Sequence, residues 1–384
     1  MQQNTNHIQT THVGSLPRPH DLLDLMKAKL SGQRVDAGAY DTCVKRAVAD
    51  CVKHQVASGI DIVADGEQSK SGFFTYVTER LAGFEPRPDQ KRVAFEAERA
   101  AFPEYYEEYF KRAMLGGAIA PIVPMVCVGP VSYRGDAALQ RDIANLKAAM
   151  TASGARSAFM PSVAPSGVGS NEYYKTDEDY FAAVAAALHE EYKAIVDAGL
   201  LLQVDDPFLT DRFVDPALDG KQRAQRAELY VHAVNAALKG IPAEKVRFHT
   251  CYGINEGPRI HEAALADIVG YMLKVSAGSY SFEAANPRHE HEYHLWERVK
   301  LPAGKVLIPG VITHASNIVE HPELIAERLM RYAKLVGREN VIAGADCGFS
   351  SQATYRTEVH PTVVWAKFEA MRDGARLASR QLWR

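Results

Sequence analysis

The sequence predicts a single-domain α/β fold, a (β/α)8 TIM barrel over residues 1–384 with an insertion at about 84–151 between the second and third barrel strands. Short apolar runs that end in small or polar residues alternate with long amphipathic stretches, the pattern of repeated βα units on a parallel sheet. Eight such runs are present, and a chain of 384 residues can hold eight strand–helix pairs as one domain. Neither an internal repeat nor a linker divides it.

The first strand is placed on Thr11–Ser15 (THVGS) and the second on Ile60–Asp65 (IDIVAD). The insertion follows, holding an aromatic, acidic helix candidate (FPEYYEEYFKRAM) and an apolar strand-like run (IVPMVCVGPVSY). Six more strands are read at 157–163, 201–205, 246–250, 278–283, 306–311 and 341–345. Helical spacing fills the gaps: from Asp177 apolar residues recur three and four apart until Gly199, and Glu323 to Val336 repeats the pattern before Gly337.

Composition narrows the function. Net charge is only −3, with both signs mixed along the chain, which argues against nucleic acid or an anionic membrane and for a small-molecule ligand. The polar start MQQNTNHIQT lacks the apolar segment of a secretory signal. The most apolar stretch, Ala118 to Val131, is interrupted by Pro121, Pro124 and Pro130 and is too short to span a bilayer. A cytoplasmic protein is therefore expected, and assembly into a homo-oligomer is left open. The five scattered cysteines, Cys43, Cys51, Cys127, Cys251 and Cys347, fit reduced thiols, some of them metal-bound, better than a disulfide framework.

In such a barrel, chemistry gathers where the strands end, because the βα loops there form one concave face. Here the strand ends carry Ser15; Asp65 and Glu67; Ser162 and Ser166; Asp205 and Asp206; His249 and Cys251; Glu283; His314; and Asp346 with Cys347. Alone, each has a bland reading as a small buried thiol or a helix cap. Together they bring an imidazole, two thiols and a carboxylate to one rim. His249 and Cys251 stand two apart on an extended segment and so share a face. With Glu283 and Cys347 they would complete a four-ligand set that suits Zn2+ better than magnesium or calcium.

THVGSLPRP, ADGEQ, QVDDP, HTC at 249–251, FEAANPRHEHE and GADCGFSS together resemble the C-terminal catalytic barrel of cobalamin-independent methionine synthase, from about residue 10 to 370. The endings NPRHEHEYH and DCGFSS look more like its short single-barrel branch, which also includes the epoxyalkane:coenzyme M transferase. The resemblance implies zinc on His249, Cys251, Glu283 and Cys347, and homocysteine held by Ser15, Glu67 and Asp205. The family's tryptophan after the third strand has no counterpart, since tryptophan occurs only at 296, 365 and 383; Tyr173 or Tyr174 is the nearest substitute.

The expected reaction is zinc-dependent methyl transfer to homocysteine, giving methionine, from a methyl or alkyl donor that the sequence does not name. A thiol is weakly ionised at neutral pH, the thiolate is the nucleophile, and metal ligation keeps sulfur deprotonated. Glu283 is the ligand expected to yield to the incoming sulfur. His314 is placed as acid on the donor side, with Asp346 orienting it; the cluster His289, His291 and His294 is read as solvated or structural. The alternative is zinc-dependent addition of a coenzyme M-like thiol to an epoxide. A metal-free lyase resembling uroporphyrinogen decarboxylase and a non-catalytic zinc-binding protein are the readings from other classes.

Overall fold

The computed structural model describes residues 6–90, 95–113, 117–120, 122–253 and 256–384. Met114 and Pro121, used in the sequence reading, lie outside them, as do the first five residues.

Seven parallel strands form one curled sheet in the order β1 (Ile62–Val63), β4 (Ser157–Val163), β6 (Leu201–Asp205), β7 (Val246–Thr250), β8 (Ser279–Phe282), β9 (Val306–Ile312) and β10 (Gly344–Ala345). Thr11 bridges in parallel to Ile62 and Thr10 to Ala343, so one short segment touches both edges of the curl. The strand expected at Thr11–Ser15 is therefore only these bridges. His12 Nδ1 accepts from the Gly14 amide at 3.1 Å, and this turn takes the chain out of the pairing.

Every residue of β6 after Leu201 and all of β7, β8 and β9 is buried, as expected of parallel strands covered on both faces. Ile62, Ala64, Phe159, Val306, Ile308 and Ile342 form a small apolar cluster of their own. They come from both ends of the strand order, β1 and β4 at one end and β9 with the segment before β10 at the other, so they meet inside the curl. Buried Arg247 closes this interior: its guanidinium lies 3.7 Å from the Phe159 ring centroid and donates to Thr11 Oγ1 at 2.9 Å and His12 O at 2.7 Å.

The segment read as an insertion divides in two. β2 (Leu81–Pro86) and β3 (Met125–Tyr133) pair antiparallel, and β5 (Ser170–Asn171) joins β3 to complete a small separate sheet. The helix Asp136–Ser153 instead packs on the helix Ala37–Ala57 and leads into β4, as the crossover helix of a βα unit does.

A buried ionic network fastens the small sheet to the large one. Arg80 Nη1 donates to Glu191 Oε2 at 3.0 Å, and its other amino group pairs with Asp142. Tyr76, Tyr133 and Ser162 donate their hydroxyls to the same Glu191 at 2.9, 2.9 and 2.8 Å. Removing one member of a buried ion pair strands the other's charge. Arg80→Ala is expected to lower the unfolding free energy by about 3–5 kcal/mol. Urea unfolding checks this, and a loss well below that range would mean that water reaches the stranded carboxylates.

Candidate metal centre and acceptor pocket

The parallel register lines up Asp205, His249 and Ser281 across β6, β7 and β8. His249 Nδ1 and Ser281 Oγ are 3.0 Å apart, which orients the ring, while the buried Nε2 has no hydrogen-bond partner among the described residues. Burial, Arg247 and His314 push the His249 pKa down to about 3, so the imidazole is neutral, as a metal ligand must be. Two residues on, Cys251 meets Cys347 from the loop after β10. One ligand atom from each of His249, Cys251 and Cys347 lies within 4.8 Å of the others. A neutral buried imidazole grouped with two thiols is a donor set for a soft or borderline divalent ion.

Glu283 is not one of this trio; it groups instead with His314 and Asp346, again within 4.8 Å. Its Oε2 accepts from Arg259 at 2.6 Å and Asn286 at 2.9 Å, and its Oε1 from the Tyr252 amide at 3.2 Å. Asp346 Oδ1 accepts from the Ala284 and Ala285 amides at 2.7 Å each, so this carboxylate fixes the loop carrying Glu283. His314 is buried in the same group and is not among the residues lining the cavity described next.

Ser15, Glu67, Asp205, His249, Cys251 and Cys347 line one cavity of about 140 Å3. Its acidic wall is built by a tight turn. Asp65 Oδ1 accepts from the Glu67 amide at 2.9 Å and supports a left-handed backbone at Glu67, φ 54°. Gly66 permits the turn, because a Cβ there would stand 2.5 Å from Cys51 Sγ. Both Glu67 carboxylate oxygens are buried without a hydrogen bond among the described residues, with the Lys70 ammonium 3.5 Å away. Burial and the neighbouring Glu67 charge push the Asp205 pKa well above the usual carboxylate value. Across the cavity the loop after Cys347 lies against Ser15, and Gly348 makes this approach feasible: a Cβ there would meet Ser15 Oγ at 2.0 Å. Phe73, Phe74 and Phe208, with ring centroids 5.0–6.4 Å apart, form an apolar wall. Tyr174 is committed elsewhere, its hydroxyl accepting from the Val131 amide at 3.0 Å.

Sequence reasoning missed Lys70, Arg259, Asn286 and the phenylalanine wall. None ends a predicted strand; only the adjacency of Lys70 to ADGEQ and the place of Asn286 within FEAANP are available as signals. Asp206, a strand-end candidate, is structural: it accepts from Ser166 Oγ at 2.7 Å and the Leu209 amide at 3.0 Å.

Fold and site together define a class: an α/β protein presenting a candidate thiolate–imidazole metal centre and an acidic pocket at the carboxyl edge of a curled parallel sheet. Residues 8–106 and 166–374 match the family described as cobalamin-independent synthase, catalytic domain, and the chain belongs to that family. It is 25% identical over 342 residues to methionine synthase of Sulfolobus acidocaldarius, spanning 89% of this chain and 85% of that protein. It is 24% identical over 384 residues to methionine synthase of Saccharolobus islandicus, strain L.S.2.15, spanning 98% and 96%. The fold resembles that of a B12-independent methionine synthase from Shewanella sp. W3-18-1 in complex with selenomethionine, with TM-score 0.74, 21% identity and coverage of 98% and 99%. It also resembles a putative vitamin-B12 independent methionine synthase from Listeria monocytogenes, with TM-score 0.66, 20% identity and coverage of 97% and 99%. Among the described residues no helix is long and apolar enough to cross a membrane.

The histidine cluster separates on inspection. His294 is exposed beside Glu297, whereas His289 is buried between Glu262 at 2.9 Å and Glu292 at 2.8 Å and stacks on Tyr252 at 4.0 Å. Burial opposes its charge, but the two carboxylates outweigh this and raise its pKa from 6.5 to about 9. A raised folded-state pKa contributes stability that is complete below the unfolded value and is lost as pH rises through the folded one. The stability advantage of the parent protein over His289→Gln is expected to shrink by roughly 3 kcal/mol from about pH 6 to about pH 10. Urea unfolding at both pH values measures it; a difference that does not change with pH would show the ring to be neutral.

Proposed function

We propose that this protein is a zinc-dependent methyltransferase that methylates homocysteine, yielding methionine. The observation that carries the reading is the single cavity shared by the His249, Cys251 and Cys347 group and the Glu67 and Asp205 carboxylates. Membership of the cobalamin-independent synthase family and the methionine synthases among its relatives support it. The curled sheet is read here as a closed (β/α)8 barrel of one domain, joined through Thr10 and Thr11, with the β2–β3 segment as its insertion.

His249, Cys251 and Cys347 would hold the metal, and Glu283 is assigned the fourth, exchangeable position. Zinc bound there would lower the pKa of a ligated substrate thiol, so that its sulfur is a nucleophile at neutral pH. The buried Glu67 carboxylate, without a hydrogen bond, and Asp205 beside it would receive the amino group of homocysteine. Lys70 stays in place through Pro161 O at 2.6 Å and keeps that acidic pair from being uncompensated before the ligand arrives. Ser15 and the loop at Gly348 would face the substrate carboxylate. Phe73, Phe74 and Phe208 would exclude water from the reacting sulfur and offer an apolar face to the donor. His314 is assigned the proton given to the departing donor atom, with Asp346 orienting it; that role requires the imidazole to turn toward the cavity.

The epoxide alternative is disfavoured by the pocket itself. A sulfonate thiol needs cations where Glu67 and Asp205 stand, and the nearby Lys70 is already engaged.

Cys347→Ser and His249→Ala are expected to lose zinc and activity together. Asp205→Asn is expected to keep zinc and raise the KM for homocysteine about tenfold or more. Metal quantification with steady-state kinetics checks both, and turnover that survives either ligand change would sink the assignment. X-ray absorption should gain a Zn–S contact at about 2.3 Å when homocysteine is added.

A further inference from the structure

We propose that Arg259 is a positioning residue that competes with the metal for the Glu283 carboxylate, keeping the fourth coordination position exchangeable for the acceptor thiol. This rests on the zinc–thiol reading above.

The geometry gives Glu283 a complete set of partners away from the trio of metal-ligand candidates. Both of its oxygens are occupied: Oε2 by Arg259 at 2.6 Å and Asn286 at 2.9 Å, Oε1 by the Tyr252 amide at 3.2 Å. His249, Cys251 and Cys347 draw together without it. Arg259 is buried, and its Nε donates to Glu262 at 2.7 Å, so one guanidinium bridges two carboxylates. Its backbone lies in the left-handed region, φ 56°. That region is unfavourable for a non-glycine residue, and the two buried ion pairs provide a reason for the conformation to persist.

A buried carboxylate released from a metal would ordinarily be left unpaired, which is unfavourable. Here its alternative partner is already in place. Arg259 follows β7 and Glu283 follows β8, so the carboxylate is held between two adjacent loops, bonded to the guanidinium and close enough to Cys251 of the trio to act on it electrostatically. Pairing with Arg259 weakens Glu283 as a ligand and receives it when the thiolate takes its place. In that exchange one metal–oxygen bond to Glu283 would give way to one metal–sulfur bond, the S–H bond would break with its proton leaving to the medium, and the freed carboxylate would be held by Arg259.

The opposite role would be an arginine that only steadies a permanent ligand. Losing such an outer partner typically weakens metal binding about 10–100-fold. Competition predicts the reverse sign, which makes the two separable.

Arg259→Gln and Arg259→Lys, in the full chain, would be titrated with zinc against a chromogenic chelator, and the zinc-loaded proteins with homocysteine. Arg259→Gln is expected to bind zinc about tenfold more tightly and homocysteine about tenfold more weakly than the parent. Arg259→Lys, a cation without the planar fork, should fall between. In a Glu283→Gln background the tightening should vanish. Zinc binding that is unchanged or weaker in folded Arg259→Gln overturns the proposal, as does tightening that survives Glu283→Gln. Should Arg259→Gln fail to fold, Arg259→Lys decides: zinc affinity at or below the parent's overturns it. A parent that takes up no zinc refutes the metal reading as well, whereas a parent that binds zinc and thiol normally while no variant tightens refutes Arg259 competition alone.

Discussion

Burying many carboxylates around one small cavity is the constraint on which the rest of this structure depends. A carboxylate removed from water must find charge or hydrogen bonds, or it takes up a proton. Asp346 finds two backbone amides, Asp206 a hydroxyl and an amide, Asp205 the Gln203 side chain, and Glu283 an arginine, an asparagine and an amide. Glu67 differs from these, with a lysine at 3.5 Å and no hydrogen bond among the described residues. The place where the fold leaves a buried acid unsatisfied is the place where a cationic ligand group fits.

The same constraint explains why so much of the surrounding sequence is devoted to holding side chains still. Asp65 shapes the turn that presents Glu67, and Asn286 both fastens Glu283 and reaches Asp346 at 3.2 Å. Arg247 sits beneath, stacked on Phe159, and its charge favours ionised Asp205 while disfavouring charged His249. At Asp205 burial and the Glu67 charge outweigh it and the pKa stays well above the usual carboxylate value, whereas at His249 it adds to burial in keeping the imidazole neutral. The network around Glu191 does comparable work for the small sheet, tying Tyr133 of β3 to Tyr76 and Arg80.

Much of this was legible beforehand, and for identifiable reasons. Buried parallel strands read as apolar runs, and β4, β6 and β7 fall on their expected residues because apolar side chains flank Pro161, Gln203 and Arg247 within them. The first expected strand shrank to two bridges because the turn at His12–Gly14 is a local side-chain effect that apolar patterning does not register. The crossover helix Asp136–Ser153 was grouped with the insertion because β3, which precedes it, reads like any other apolar strand; only its antiparallel pairing with β2 sets it apart.

At the site, sequence alone determined which chemical groups stand at the strand ends, since strand period and chain direction decide that. It thereby named the imidazole, the two thiols and the acidic pair that share one cavity. Tertiary structure alone decided whom each buried charge meets. Glu283 stands where a fourth ligand was expected yet leans on Arg259, and His314 lies with Asp346 outside the cavity lining. Such choices depend on the competition among charges brought together from distant loops, which packing resolves and linear spacing does not encode.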